Sequence, residues 1–201
     1  MKIAVIGATG MVGSRTVAEA ARREHTVDAY SRSGKEVEGA RSAHALDLAD
    51  TASVAEVIFE HDYTVITTVS GRTGDYADDI RNHRDLVAAH PEGKFLVVGG
   101  AGALYADENT MLKDTEGFPE QFKTEADAFA EVYKEYMSSR DVAWTLLAPA
   151  PMIAPGDRTG TYKTELDRPA GDSVSAEDFA VALIDEAESQ SHLGMRFTVA
   201  N

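Results

Sequence analysis

The sequence predicts an α/β fold, a doubly wound and mostly parallel sheet with helices on both faces, as one domain spanning residues 1–201. Short apolar runs rich in β-branched side chains alternate with segments of helical period from one end of the chain to the other. The first of these runs ends in a turn with glycine at every third position, which opens a helix without a spare residue. The length also suffices to bury one full core, and two independent domains are not expected.

The elements follow in order. Lys2–Ile6 is an apolar strand of the kind a sheet covered on both faces requires, and a helix over 11–23 follows its turn. Thr26–Tyr30 forms the second strand and 42–46 the third, followed by a helix over 51–60 with Thr51 as its cap. The run 63–69 is a strand, 74–90 a helix and 94–98 a strand. A helix over 124–139, capped by Thr124, carries Ala126, Phe129, Ala130, Tyr133 and Met137 at helical spacing. That face packs on the sheet and makes Tyr133 a core residue. Strand 142–147, helix 176–189 and strand 196–199 complete the pattern, with Ser175-Ala176-Glu177-Asp178 close to a capping box. Two irregular stretches, about 99–123 and 149–174, each follow the C-terminal end of a strand, where open α/β sheets bind ligands. They are expected to be the substrate-side loops.

Composition narrows the function. With 34 acidic against 19 basic residues the formal charge is −15, which argues against nucleic acid or an anionic membrane as partner. The acids are spread over helices and loops as solvated faces. No apolar run approaches the roughly 20 residues of a membrane span, and no basic region with a hydrophobic stretch opens the chain, so a cytoplasmic protein is expected. Cysteine is absent, which excludes disulfides, thiolate catalysis, zinc–thiolate sites and iron–sulfur clusters. His25, His44, His61, His83, His90 and His192 show no ligand spacing, so no metal site is expected. Any redox chemistry has to come from a bound cofactor.

The turn Gly7-Ala8-Thr9-Gly10-Met11-Val12-Gly13 supplies the site for one. A strand, a glycine-rich turn and a helix start bring backbone N–H groups to an anion where a Cβ would obstruct, which is the dinucleotide-binding arrangement of the Rossmann fold. Gly7, Thr9, Gly10, Met11, Val12 and Gly13 are therefore cofactor-binding candidates. The second strand ends Tyr30-Ser31-Arg32-Ser33, with no carboxylate at its tip. Arg32 there can accept a 2′-phosphate, so NADP(H) is preferred, with NAD(H) as the alternative.

The spacing G-x-x-G-x-x-G resembles the extended and atypical short-chain dehydrogenase/reductases. That resemblance implies that Asp47 and Leu48, after the third strand, approach the adenine, and that Val69, Ser70 and Gly71, after the fourth, lie under the ribose and nicotinamide. The Tyr-x-x-x-Lys pair of most such reductases is missing: Tyr105, Tyr133, Tyr136 and Tyr162 are followed at that spacing by Asn109, Met137, Arg140 and Leu166. The segments Val97–Leu104, Phe118–Ala126, Trp144–Ile153 and Pro155–Tyr162, with the endings Ser175–Ala180 and Arg196–Ala200, look like a narrower group. These are the NmrA-like atypical reductases named NADH-flavin reductases by similarity, akin to the mammalian flavin/biliverdin-IXβ reductase. The resemblance covers nearly the whole chain. Alignment with the mammalian relative sets Gly102 and Met152 where that protein has a serine and a histidine.

The resemblance further implies that Lys123, at a helix start, faces the nicotinamide as a candidate catalytic residue, holding the carboxamide or ribose or donating a proton. Pro149 is expected to wall the cofactor, and Gly102, Met152, Arg158 and Tyr162 to line the acceptor side. The expected function is reduction of a flavin or quinone by direct hydride transfer, in a monomer or weak homodimer. A non-catalytic redox sensor of NmrA type is the alternative. An epimerase or dehydratase comes third, since the Tyr–Lys pair and a substrate domain are both lacking.

Overall fold

The computed structural model describes residues 1–72 and 74–201, and of Ser70 the backbone alone. Among the described residues eight strands form one sheet. In chain order they are β1 (Lys2–Ile6), β2 (Thr26–Ser31), β3 (Ser42–Ala45), β4 (Tyr63–Ile66), β5 (Lys94–Val98), β6 (Ala143–Pro149), β8 (Lys163–Leu166) and β10 (Arg196–Ala200). Their spatial order is β3-β2-β1-β4-β5-β6-β10-β8, parallel throughout except for β8, which runs antiparallel to β10. Two short strands, β7 (Met152–Ala154) and β9 (Ser173–Ser175), pair as a separate parallel ribbon.

Among the described residues five α-helices cover the sheet: α1 (Met11–Arg22), α2 (Thr51–Glu60), α3 (Tyr76–Ala88), α4 (Lys123–Ser138) and α5 (Ala176–Ser189). Alternation along the strands splits the core in two. Ile3 and Val5 of β1 face α1 and α5, packing with Val17, Ala20, Phe179 and Leu183. Ala4 and Ile6 face α2, α3 and α4, packing with Val54, Ile58, Leu86, Val132 and Tyr136. Successive side chains of a strand point to opposite faces, so an unbroken apolar run is what two covered faces demand. The sheet is thus the doubly wound Rossmann-like α/β architecture the sequence predicts.

Four local expectations need correction. The cap of α2 is Asp50, one residue earlier than Thr51, its carboxylate accepting from Ser53 N–H at 3.2 Å and Ser53 Oγ at 2.7 Å. Thr124 caps nothing, because the 3-10 turn Glu120–Phe122 runs directly into α4. Met137 is 56 % exposed, and Tyr136 takes the buried place on that face. The stretch 149–174, read as irregular, holds β7 and β8 and leads into β9. Ser175 does cap α5, accepting from Asp178 N–H at 3.0 Å.

Candidate cofactor-binding site

The chain leaves β1 toward β2 on one side and returns on the other at β4, which opens a crevice at the C-terminal ends of those strands. Gly7 sits at its mouth with φ +86°, a left-handed conformation that favours glycine. Gly7 N–H and Ala8 N–H both donate to the Tyr30 carbonyl, at 2.8 and 3.0 Å, and pin the turn to the end of β2. A Cβ on Gly13 would stand 2.1 Å from the Gly7 carbonyl oxygen, so the turn and α1 touch backbone to backbone. A Cβ on Gly10 would meet only Gly7 O, at 3.3 Å, and otherwise point into open space.

Gly10 is the N-cap of α1, no side chain caps this helix, and its first turn carries no acid. The N–H groups of Met11, Val12 and Gly13 have no acceptor within the helix, and together with the dipole they form an anion site. Beside them Thr67 Oγ1 donates to the carbonyls of Ile6 and Gly7, at 3.1 and 3.2 Å. Thr68 Oγ1 is buried with no partner among the described residues. Sequence reasoning read Thr67 and Thr68 as part of a strand over 63–69, which ends at Ile66, and missed them as site residues, although two hydroxyls just past a strand beside the glycine turn are a visible signal. The open helix start, the space in front of Gly10 and the orphaned hydroxyl of Thr68 fit a phosphorylated, hydroxyl-bearing cofactor.

Beyond the tip of β2 lies a cleft of about 650 Å³ whose walls include Tyr30, Arg32, Arg41, His44, Leu46 and Asp47. Arg32 is exposed on its rim. Tyr30 stacks on His44 at a centroid distance of 5.2 Å, and its phenol is pushed up to about 12 by burial and then by the charge of Asp28, so it is a neutral surface. At the cleft floor Arg41, Ser42 and His61 converge on Asp28, with Arg41 Nε at 3.0 Å, Ser42 Oγ at 2.6 Å and His61 Nε2 at 3.1 Å. Burial alone would raise this carboxyl, yet these partners hold it well below the usual carboxylate range. Asp47 is exposed and accepts Ala49 N–H at 3.0 Å, whereas Leu48 is 4 % exposed and packs into the core.

Of the residues expected under the ribose and nicotinamide, Val69 packs against the cluster of Ala103, Phe129 and Ala130, and the side chain of Ser70 lies outside the described residues. Gly71 N–H donates to buried Asp79 at 2.8 Å, and the Tyr76 ring lies where a Gly71 Cβ would be. Pro149 is buried at the end of β6. Gly102 packs against Ala126 and Phe118, whose atoms would lie 2.5 and 3.0 Å from a Cβ there. Met152 is 68 % exposed on β7. Lys123 is the first residue of α4 and exposed; its N–H donates to the Glu120 carbonyl, and its side chain forms no hydrogen bond or ion pair among the described residues.

Arg158 and Tyr162, expected on the acceptor side, are tied to α1 and α5 instead. Arg158 Nε and Nη2 each donate to Glu19 at 2.7 Å, because a carboxylate only 4 % exposed has to be paired. Tyr162 Oη donates to Asp185. Tyr133 is likewise no catalyst. Its hydroxyl donates to Asp167 at 3.0 Å, the Arg196 guanidinium lies 3.6 Å over its ring, and burial pushes the phenol up to about 12.

A sequence profile described as NAD(P)H-binding matches residues 7–190. The chain belongs to the NAD(P)H-binding family. Uncharacterized protein YwnB of Bacillus subtilis strain 168 is 34 % identical over 212 residues, covering 100 % of this chain and 99 % of that protein. A solved structure described as a "putative exported protein" from Burkholderia pseudomallei is 38 % identical, covers 100 % of both chains and superposes with a TM-score of 0.88. SP1627 of Streptococcus pneumoniae TIGR4, described as "a putative NADH-flavin reductase", is 31 % identical with a TM-score of 0.86, covering 100 % of this chain and 99 % of its own. The chain is thus an NAD(P)H-binding, oxidoreductase-like Rossmann protein. Among the described residues no helix is long and apolar enough to cross a membrane.

Proposed function

We propose that this protein is an NADPH-dependent reductase that passes hydride to a flat, exchangeable acceptor, a flavin or a quinone. The observation that carries the reading is an open dinucleotide cradle whose acceptor side has exposed apolar side chains, beside a helix α4 whose two tyrosines are both buried and engaged. Phe122 is 54 % and Met152 68 % exposed at that edge, while Tyr133 is locked between Asp167 and Arg196. The flavin reductase description of the Streptococcus relative supports the acceptor class.

The first turn of α1 holds the diphosphate, Arg32 the 2′-phosphate, and Thr67 and Thr68 the ribose side. When bound, the cofactor supplies a hydride, two electrons with one proton; a flavin or quinone takes its second proton from solvent. The protein's part is to stack two rings at reacting distance, and such positioning supplies much of the rate. No residue need hold or move a proton at the reacting atoms, which accounts for the missing Tyr-x-x-x-Lys pair.

The test is NADPH oxidation by purified protein with FMN, riboflavin or a quinone as acceptor. Turnover above the free-solution rate, with NADPH preferred to NADH, is expected. Tight NADPH binding with no turnover on any acceptor would replace this reading with the cofactor-sensing one.

A further inference from the structure

We infer that His44 reads the adenosine 2′-phosphate together with Arg32, so that the choice of NADPH over NADH strengthens as pH falls. This rests on the NADPH dependence proposed above and adds to it a second specificity residue and a pH response.

The fold itself brings the two side chains together. Tyr30 of β2 and His44 of β3 are partners in register on neighbouring strands, and Arg32 follows Tyr30 by two residues. The turn that carries Arg32 is closed by Gly34 N–H on the Ser31 carbonyl at 3.2 Å, and Leu46 N–H donates to the same carbonyl at 2.9 Å. That turn lies directly on the end of β3: a Cβ on Gly34 would stand 3.0 Å from Ala45 N and 3.3 Å from His44 C. Arg32 and His44 accordingly line one cleft, of about 650 Å³.

The His44 ring is exposed yet fixed. One face stacks on Tyr30 with the planes 27° apart, and Nε2 lies 2.9 Å from Ser42 Oγ. Ser42 gives its only hydrogen to Asp28 at 2.6 Å, since that carboxylate is held in its charged form and can only accept. His44 Nε2 is therefore the N–H that donates to Ser42. Nδ1, without a partner among the described residues, is the atom that gains or loses the titrating proton. Protonated, it is a donor of fixed direction that suits a phosphate oxygen; deprotonated, it is an acceptor that repels one.

The charges around the ring make that proton matter. Among the described residues five carboxylates line the cleft, Asp28 of β2, Asp47 after β3, and Asp50, Glu56 and Glu60 at α2. Facing them are Lys2, Arg32 and Arg41, while Tyr30, pushed up to about 12, stays neutral. Arg41 donates to Asp28 at 3.0 Å, and Lys2 Nζ and His61 Nε2 lie 3.9 and 3.1 Å from the same carboxylate. The wall as a whole thus opposes a phosphate held by Arg32 alone, and a protonated His44 supplies the further cation. A dianion beside Nδ1 strengthens its hold on the proton, and by linkage the proton strengthens the hold on the dianion.

The test is isothermal titration of NADP⁺ and NAD⁺ at about pH 6 and about pH 8, on wild type, His44→Gln and His44→Lys. The wild-type preference for NADP⁺ should be about three- to tenfold larger at the lower pH. His44→Gln should lose most of that increase, and His44→Lys, charged at both, should keep a high preference with little dependence on pH. The phosphate's own proton, His61 and the carboxylates are common to all three proteins, so differences between them isolate His44. Because the replaced ring is exposed, NAD⁺ affinity should stay within about twofold. A wild-type preference equal at the two pH values, a His44→Gln protein that keeps the wild-type slope, or variants that weaken both cofactors alike would overturn the proposal and leave the NADPH reading standing. A wild type without preference for NADP⁺ at either pH would remove the NADPH reading, and the role of His44 with it.

Discussion

Alanine at Gly10 and at Gly13 separates binding from folding within one turn. At Gly10 the backbone has φ −76° and ψ 172°, which alanine adopts freely, and the new Cβ meets only Gly7 O at 3.3 Å. The fold should lose about 1 kcal/mol or less, the cost of a poorer N-cap, and Tm about 2–4 °C. The same methyl group stands before the uncapped first turn of α1, however, and should displace the diphosphate from about two charge-assisted hydrogen bonds. At about 1.5 kcal/mol each, NADPH affinity should fall roughly 100-fold. At Gly13 the Cβ would lie 2.1 Å from Gly7 O, 2.8 Å from Gly7 C and 2.9 Å from Ala8 Cα, all backbone. Nothing can swing aside, so the turn itself must move, at a cost of about 1–3 kcal/mol or more, and binding should go with it. Thermal melts and titrations of NADPH fluorescence read the two effects separately. A Gly10→Ala protein that binds NADPH within threefold of wild type would refute the assignment of this turn as the diphosphate site.

Arg32→Ala should weaken NADPH about 10- to 100-fold and leave NADH nearly unchanged, a difference that isothermal titration of the two cofactors measures directly. Burial of His83, whose Nδ1 lies 2.8 Å from Tyr136 Oη, pushes its pKa down to about 4 from 6.5. The folded state therefore keeps this ring neutral while the unfolded chain protonates, so its contribution is intact above pH 6.5 and is lost as pH falls toward 4. About 3 kcal/mol is at stake, and urea unfolding across that range should show a shallower slope for His83→Gln than for wild type. Arg196, with a side chain 1 % exposed, bonds Asp167 and the Ala103 carbonyl between the rings of Tyr105 and Tyr133. Since Asp167 is 43 % exposed and rehydrates readily, Arg196→Met should cost about 2–3 kcal/mol, seen as a Tm lower by roughly 4–12 °C.

What the sequence discloses and what it hides divide by the range of the interaction. The central parallel strands such as Lys2–Ile6 and Lys94–Val98 are legible because burial on both faces favours an apolar run, and the glycine turn because its geometry is satisfied within seven residues. The antiparallel edge strand Lys163–Leu166 is illegible for the converse reason: all four residues are exposed, so neither alternation nor an apolar run marks it, and its lysine and glutamate serve to discourage further pairing. Arg158 looked like a ligand-binding cation because its loop follows β6, but its partner Glu19 is 139 positions away on α1, and no local pattern reveals that a buried carboxylate there needs it. The same logic governs α4. A tyrosine at the right depth for acid–base work is visible in the sequence, but its fate depends on Asp167 and Arg196, which come from the far end of the chain and bind its hydroxyl and ring. Once Tyr133 is committed to that packing, the proton-transfer chemistry of Tyr–Lys reductases has no carrier on this helix, and an acceptor that can take a hydride without a protein acid is the one this architecture suits.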